Sequence, residues 1–163
     1  MSRLDSFIRR LTAQRDTLDH IARDLGLPEK GAVLEIGLGN GRTYSHLREL
    51  FGDRRIVAFD RALGAHKEST PEEENLVLGE IAETAARFAG QDAALVHVDI
   101  GTGYDDRDAQ TLRWLPGLVV RLAGPGGIVL SGLPLERDEL ESLPLPASVN
   151  PGRLFLYRRR SGQ

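Results

Sequence analysis

Five short apolar runs recur along the chain, each followed by a turn or a helical stretch. They are Ala32–Ile36, Arg55–Asp60, Leu76–Leu78, Ala93–Asp99 and Ile128–Ser131. Runs this short do not make buried helices; they suit strands covered on both faces. Successive parallel strands need a crossover between them, and the intervening segments supply it. The expected class is therefore α/β, with a mostly parallel sheet and helices on both faces. In such sheets ligands sit beyond the carboxyl ends of the strands, where the strand order reverses. Three of the runs end at or beside an acid (Asp60, Glu80 and Asp99), and the first ends in a glycine loop.

The segments between the runs carry further signals. Leu4, Phe7, Ile8, Leu11, Leu18, Ile21, Ala22 and Leu25 repeat at helical steps and predict an N-terminal helix over about 2–25, ended by Gly26 and Pro28. Its apolar stripe either covers one face of the sheet or forms a dimer seam. A second helix is expected from about Thr43 to Phe51, and a third over Ile81–Phe88. Arg61–Asn75 reads as loop or frayed helix, and Gly101–Asp106 as loop. Leu112–Leu122 reads as a helix interrupted by Pro116, and Gly124–Gly127 as a turn. Leu143–Pro146 and Arg153–Arg158 are expected to pair as an antiparallel edge.

At 163 residues the chain fits one domain, 1–163, long enough to bury about two-thirds of its surface. Cysteine is absent, which excludes disulfides, thiolate zinc sites and cysteine nucleophiles. His20, His46, His66 and His97 are scattered without ligand spacing, so no metal is expected. His97 lies mid-strand and reads as a buried, bonded histidine. A net charge of -3 excludes a domain-wide basic field and disfavours nucleic acid. No apolar run approaches the roughly 18 residues of a membrane span. Asp5, Asp16, Asp19 and Asp24 in the first helix argue against a mitochondrial presequence. A cytoplasmic protein with no membrane partner is expected.

The loop Glu35-Ile36-Gly37-Leu38-Gly39-Asn40-Gly41 carries most of the chemistry. A dinucleotide fingerprint reads G-x-G-x-x-G. Here the third glycine comes one residue early, and Arg42 takes the fingerprint position. Glu35, two residues before the first glycine, would repel a pyrophosphate and attract an ammonium group. The loop thus suits a ligand with a nucleoside and a cationic amino-acid end. Asp60 lies 23 residues after Gly37 (60 − 37 = 23), where an acid at a strand end accepts from ribose hydroxyls. Glu80, at the end of the third run, suits an adenine amino group. It also reads as an acid favoured by the dipole of the helix that follows.

With these residues, Gly79-Glu80, Asp99 and the Gly126-Gly127 turn, the chain resembles the class I S-adenosylmethionine-dependent methyltransferases from about Ala32 to Tyr157. More narrowly, Leu34–Tyr44, Phe59-Asp60-Arg61-Ala62 and Pro151–Tyr157 resemble a small bacterial methyltransferase family without assigned substrates. The resemblance implies a Rossmann-like fold with a seven-stranded sheet and one antiparallel strand near the C-terminal edge. It implies S-adenosyl-L-methionine as cofactor and S-adenosyl-L-homocysteine as product. It places Glu35 near the methionyl amino group, Asp60 on the ribose and Glu80 near the adenine. Gly37, Leu38, Gly39, Asn40, Gly41, Arg42 and Thr43 are the further cofactor candidates from the loop. Arg61, Gly79, Ile81 and Asp99 are those from the other strand ends. Asp99 and Tyr104 are the catalytic candidates, the acid to orient or deprotonate an acceptor and the ring to pack near the methyl group.

The Asn/Asp-Pro-Pro-aromatic motif of amino methylases of nucleic acid is missing after the fourth run, which reads Asp99-Ile100-Gly101. No substrate-recognition insertion is visible. A small-molecule acceptor is therefore expected, with a non-catalytic cofactor-binding module or regulatory subunit as the alternative. Without a covering insertion, a homodimer through the N-terminal stripe would help close the acceptor site.

Overall fold

The apolar runs become strands because only sheet pairing satisfies a backbone buried on both sides. In the computed structural model, which describes residues 1–162, they are β1 Val33–Ile36, β2 Ile56–Asp60, β3 Leu76–Leu78, β4 Ala93–Val98 and β5 Ala123–Ser131. All five run parallel. Two further strands, β6 Leu140–Leu143 and β7 Phe155–Arg159, complete one seven-stranded sheet of order β3-β2-β1-β4-β5-β7-β6. β7 is antiparallel to both of its neighbours, as the expected fold requires. The order reverses between β1 and β4, so the switch point lies at their carboxyl ends.

Helix α1 runs Arg3–His20, opened by a capping box between Ser2 and Asp5, and widens into a turn over Ile21–Leu25. The other helices are α2 Arg42–Phe51, α3 Ile81–Thr84, α4 Asp105–Thr111 and α5 Leu115–Leu122. Leu18 and Ile21 from the N-terminal segment, with Tyr44, Leu47 and Phe51 of α2, bury one face of the sheet against Val33, Leu95 and Ile128. Leu115, Leu118, Val119 and Leu122 of α5 cover the opposite face against Leu34, Ile36, Val96 and Val129. No helix among the described residues is long and apolar enough to cross a membrane.

Several local expectations are corrected. Gly124–Gly127 is not a separate turn but part of β5, whose pairing with β4 shifts register between Ala93 and Leu95. Gly124 and Gly127 lie so close to Asp92 and Ala93 that a Cβ would meet them at 2.7–2.8 Å, and a glycine-lined irregularity accommodates the approach. The stretch read as loop at Asp105 is α4, with Asp105, Asp106 and Asp108 in its first turn. Pro116 stands in the first turn of α5, where its missing N–H costs no helical bond. The helix expected over Ile81–Phe88 tightens to a 3-10 turn after Thr84. Strand β6 begins at Leu140 rather than Leu143.

The N-terminal stripe divides. Its C-terminal half covers the sheet, whereas Leu4 and Ile8 are 66% and 52% exposed.

Candidate active-site cleft at the strand ends

The turn out of β1 sets the geometry. Gly37 has φ +97°, and a Cβ there would stand 2.5 Å from the Asp99 carbonyl oxygen. Only glycine permits this approach of the β1 turn to the end of β4. The Gly37 and Leu38 N–H groups donate to the Phe59 carbonyl at 2.9 and 3.2 Å, tying the turn to β2. Gly41, at φ +84°, opens α2 beneath the segment that carries Ala65 and Ser69.

A cavity of about 610 Å3 opens at this edge of the sheet. Gly37 and Gly39 form its β1 side, Asp60 and Arg61 its β2 side, Glu80 and Ile81 its β3 side, and Asp99 its β4 side. Asp60 is held by backbone: Oδ2 accepts from Gly39 N–H at 2.8 Å and Oδ1 from Arg61 N–H at 2.7 Å. Each oxygen keeps a lone pair, so the carboxylate is oriented without being used up. Glu80 is the N-cap residue of α3, yet its side chain makes no capping bond. It stands 3.4 Å from Arg61 with most of its surface exposed. Asp99 is exposed at the end of β4.

Other candidates lie elsewhere. Leu38 is a core residue at 3% exposure. Arg42 turns away, its guanidinium 5.6 Å from the Phe7 ring, and with Thr43 lines a hollow between α1 and α2. Asn40, Gly41 and Gly79 are outside the cleft lining, although Asn40 and Gly41 belong to the loop that shapes it. Tyr104 is 62% exposed and does not line the cleft. Its ring lies under Arg107, 5.1 Å away, and Arg107 does line it. The aromatic side chain of the cleft is Trp114, half-buried just before α5. Thr102, Gln110 and Thr111 join it. Asp108 organises this wall by accepting from Thr102 N–H and Oγ1, both at 2.8 Å, which holds its own carboxyl below the usual range. The acid cluster at Asp105–Asp108 was the available sequence signal for this helix.

Glu35 occupies a different environment. It is wholly buried on the face covered by α1 and α2, and its register partner on β4 is His97. A 2.7 Å hydrogen bond joins Glu35 Oε1 to His97 Nδ1. Burial pushes the Glu35 carboxyl up, against the pull of His97. For His97 burial works downward, but the Glu35 carboxylate outweighs it and the net shift is upward. The two directions agree: the interior favours a pair with no net charge, so the pair holds its shared complement of protons more tightly than separated side chains do. Glu35 Oε2 and His97 Nε2 have no hydrogen-bond partner.

These features fit a cofactor with a nucleoside, a ribose and an amino-acid end. Anchored and free carboxylates meet the first two, and the glycine turn admits a close backbone approach. The match to known proteins agrees. A family model described as S-adenosyl-L-methionine methyltransferase matches residues 1–159. The crystal structure of an S-adenosyl-L-methionine methyl transferase from Silicibacter pomeroyi DSS-3 is 43% identical, covers 98% of this chain and 99% of that one, and superposes with a TM-score of 0.86.

More distant likenesses show the fold alone. The antibiotic-resistance methyltransferase Kmr is 13% identical, with 91% and 93% of the two chains covered and a TM-score of 0.55. A 16S rRNA (adenine(1408)-N(1))-methyltransferase from Catenulisporales acidiphilia, in a point-mutant form, is also 13% identical, with 93% and 92% covered and a TM-score of 0.53. No functionally curated protein matches the chain. The glycine turn, the strand-end acids and the full-length match have one reading: the chain belongs to the S-adenosyl-L-methionine methyltransferase family, and S-adenosyl-L-methionine is its cofactor.

Proposed function

We propose that the cleft at the strand ends holds S-adenosyl-L-methionine and passes its methyl group to a small molecule bound against Asp99 and Trp114. The observation that carries this reading is the cavity of about 610 Å3, a size typical of small-molecule sites, lined by Asp60, Glu80 and Asp99. The cofactor supplies an electrophilic methyl on a sulfonium, so little covalent chemistry falls to the protein. Orientation and exclusion of water provide most of the acceleration.

Asp60 accepts from the ribose hydroxyls, and Glu80 faces the adenine. Gly37 and Gly39 allow the amino-acid end to lie on the backbone. Glu35 acts from beneath the loop, as a buried carboxylate that attracts the ammonium group. Asp99 orients the acceptor and takes its proton where one must leave before attack. Trp114 packs on the acceptor and offers its ring face to positive charge. Tyr104 acts one layer out, through Arg107.

Rapid screening with methyl-labelled cofactor tests this. Small amines, phenols and carboxylic acids form one arm, and total RNA and protein extracts the other. Label in a small molecule, lost in Asp99→Asn, supports the reading; label entering only RNA or protein overturns it. Two lining arginines against three lining acids, and a net charge of -3, weigh against a nucleic-acid acceptor. Family membership does not favour a non-catalytic module.

For assembly, the exposed Leu4 and the partly exposed Phe7 favour a second copy packed on α1. Light scattering on the parent and on Leu4→Glu checks it: a dimer split by the substitution is the expected result, and a monomeric parent refutes it.

A further inference from the structure

A second cavity lies between α1 and the loop joining β6 to β7. It encloses about 250 Å3 and shares no residue with the cleft at the strand ends. Its floor is apolar: Val149 and Leu154 are 7% and 5% exposed, and Ile8 stands half-exposed at the rim. Arg9, Arg10 and Arg153 are among its lining residues, and that lining contains no carboxylate.

Arg15, Arg23, Arg61 and Arg137 each stand beside an acid. Arg9, Arg10 and Arg153 form no close ion pair among the described residues, although Arg9 is near enough to Asp5 to help the Ser2 hydrogen bonds hold that carboxyl below its usual range. Arg153 makes one long hydrogen bond, 3.4 Å, to Ser6 Oγ, and Arg10 lies 5.4 Å from the Phe7 ring. The nearby acids are committed elsewhere: Asp5 to the Ser2 capping box and Asp16 to Arg15 and Ser148. A chain of net charge -3 thus gathers three arginines at one apolar groove whose lining holds no carboxylate. Such charges repel one another until an anion joins them. Planar guanidinium forks suit carboxylate and phosphate oxygens. The apolar floor suits a short hydrocarbon chain or a ring.

We propose that this groove binds a small amphipathic anion, a carboxylate or phosphate ester with a short apolar body. The anionic oxygens meet Arg9, Arg10 and Arg153, and the apolar body lies on Val149 and Leu154. Because the groove is walled by α1 on one side and the β6–β7 loop on the other, the ligand ties the two together. Occupancy therefore raises the melting temperature without drawing on the cofactor cleft.

Hexyl phosphate is the probe, titrated calorimetrically into the full chain beside hexanoate, inorganic phosphate and hexylammonium. Hexyl phosphate and hexanoate are expected to bind and to raise Tm. Inorganic phosphate binds at least about tenfold more weakly because it lacks the buried methylenes. Hexylammonium does not bind. Arg9→Gln with Arg153→Gln weakens hexyl phosphate by about tenfold or more, at unchanged cofactor affinity. Arg9→Lys with Arg153→Lys keeps the charge but loses the fork, and falls between, which covers failure of the glutamine variant to fold. Binding of hexylammonium equal to hexyl phosphate, or lysine and parent proteins binding alike, overturns the proposal. So does binding to phosphatidylglycerol vesicles without binding to hexyl phosphate, which assigns the patch to a membrane surface. A dimer dissociated by Arg153→Glu overturns it too, by assigning the groove to a second copy.

Discussion

Glu35 and Asp60 stand on neighbouring parallel strands and have opposite surroundings. Glu35 is sealed under α1 and α2, with one oxygen on His97 and the other without a partner. Asp60 is at the rim of an open cavity, each oxygen pinned by a backbone N–H and each still able to accept. Burial makes the first acid half of a unit whose value depends on keeping both halves. Partial exposure leaves the second an oriented acceptor open to the cavity. An acid two residues before a glycine turn and an acid at a strand end thus come to lie in different surroundings, one beneath the loop and one at the cavity rim.

The largest expected effect breaks the buried unit. Removing one member of a buried charged pair costs about 3–5 kcal/mol. Glu35→Leu or His97→Leu should therefore lower the melting temperature by roughly 6–20 °C, at about 2–4 °C per kcal/mol for a chain of this size. The double variant should recover part of the loss, because no unpaired polar group is left. A double variant as unstable as the sum of the singles would show that the pair is not the unit described.

Asp60 gives the opposite signature. A hydrogen bond to a charged group contributes about 1.5–3 kcal/mol, so Asp60→Ala should weaken S-adenosyl-L-methionine binding by roughly 10- to 150-fold. The bonds to Gly39 and Arg61 add a modest stability loss of about 1 kcal/mol, or roughly 2–4 °C. Calorimetry and melting curves on one preparation separate the two effects. Loss of melting temperature without loss of affinity would invert the comparison.

A pH series sharpens it. Glu35 and His97 are both shifted upward, so the folded state binds their protons more tightly than the unfolded one. The neutral pair holds its shared proton more tightly than an unfolded histidine does, so its contribution to stability is present below the ordinary histidine value of 6.5 and is lost as pH climbs past it and through the folded-state titration. Each proton so linked is worth at most about 1.4 kcal/mol per pH unit. Relative to the Glu35→Leu, His97→Leu double variant, the parent should lose melting temperature above neutral pH; parallel curves would remove the linkage. Glu80→Ala should have the smallest measurable effect, less than about tenfold on cofactor binding, because its exposed carboxylate is readily replaced by water. Asp138→Ala, outside the cleft, should change neither quantity.

The sequence by itself determined the features that depend on near neighbours. Short apolar runs announced the parallel strands, since nothing else buries so short a backbone on both faces. The crowded glycines of Glu35–Gly41 announced a close backbone approach, and Asp60 and Glu80 announced strand ends. Tertiary structure alone decided which distant groups meet. His97 is 62 residues from Glu35 and becomes its partner only because β4 inserts beside β1. Trp114 and Arg107 reach the cleft only because α4 forms where acids and glycines read as loop. The apolar stripe of α1 divides into a half that covers the core, at Leu18, and an exposed half, at Leu4 and Ile8, which the even periodicity does not distinguish. Periodicity and backbone sterics act over a few residues and can be read along the chain. Side-chain pairing depends on strand order and helix placement, which are settled when the whole sheet is assembled.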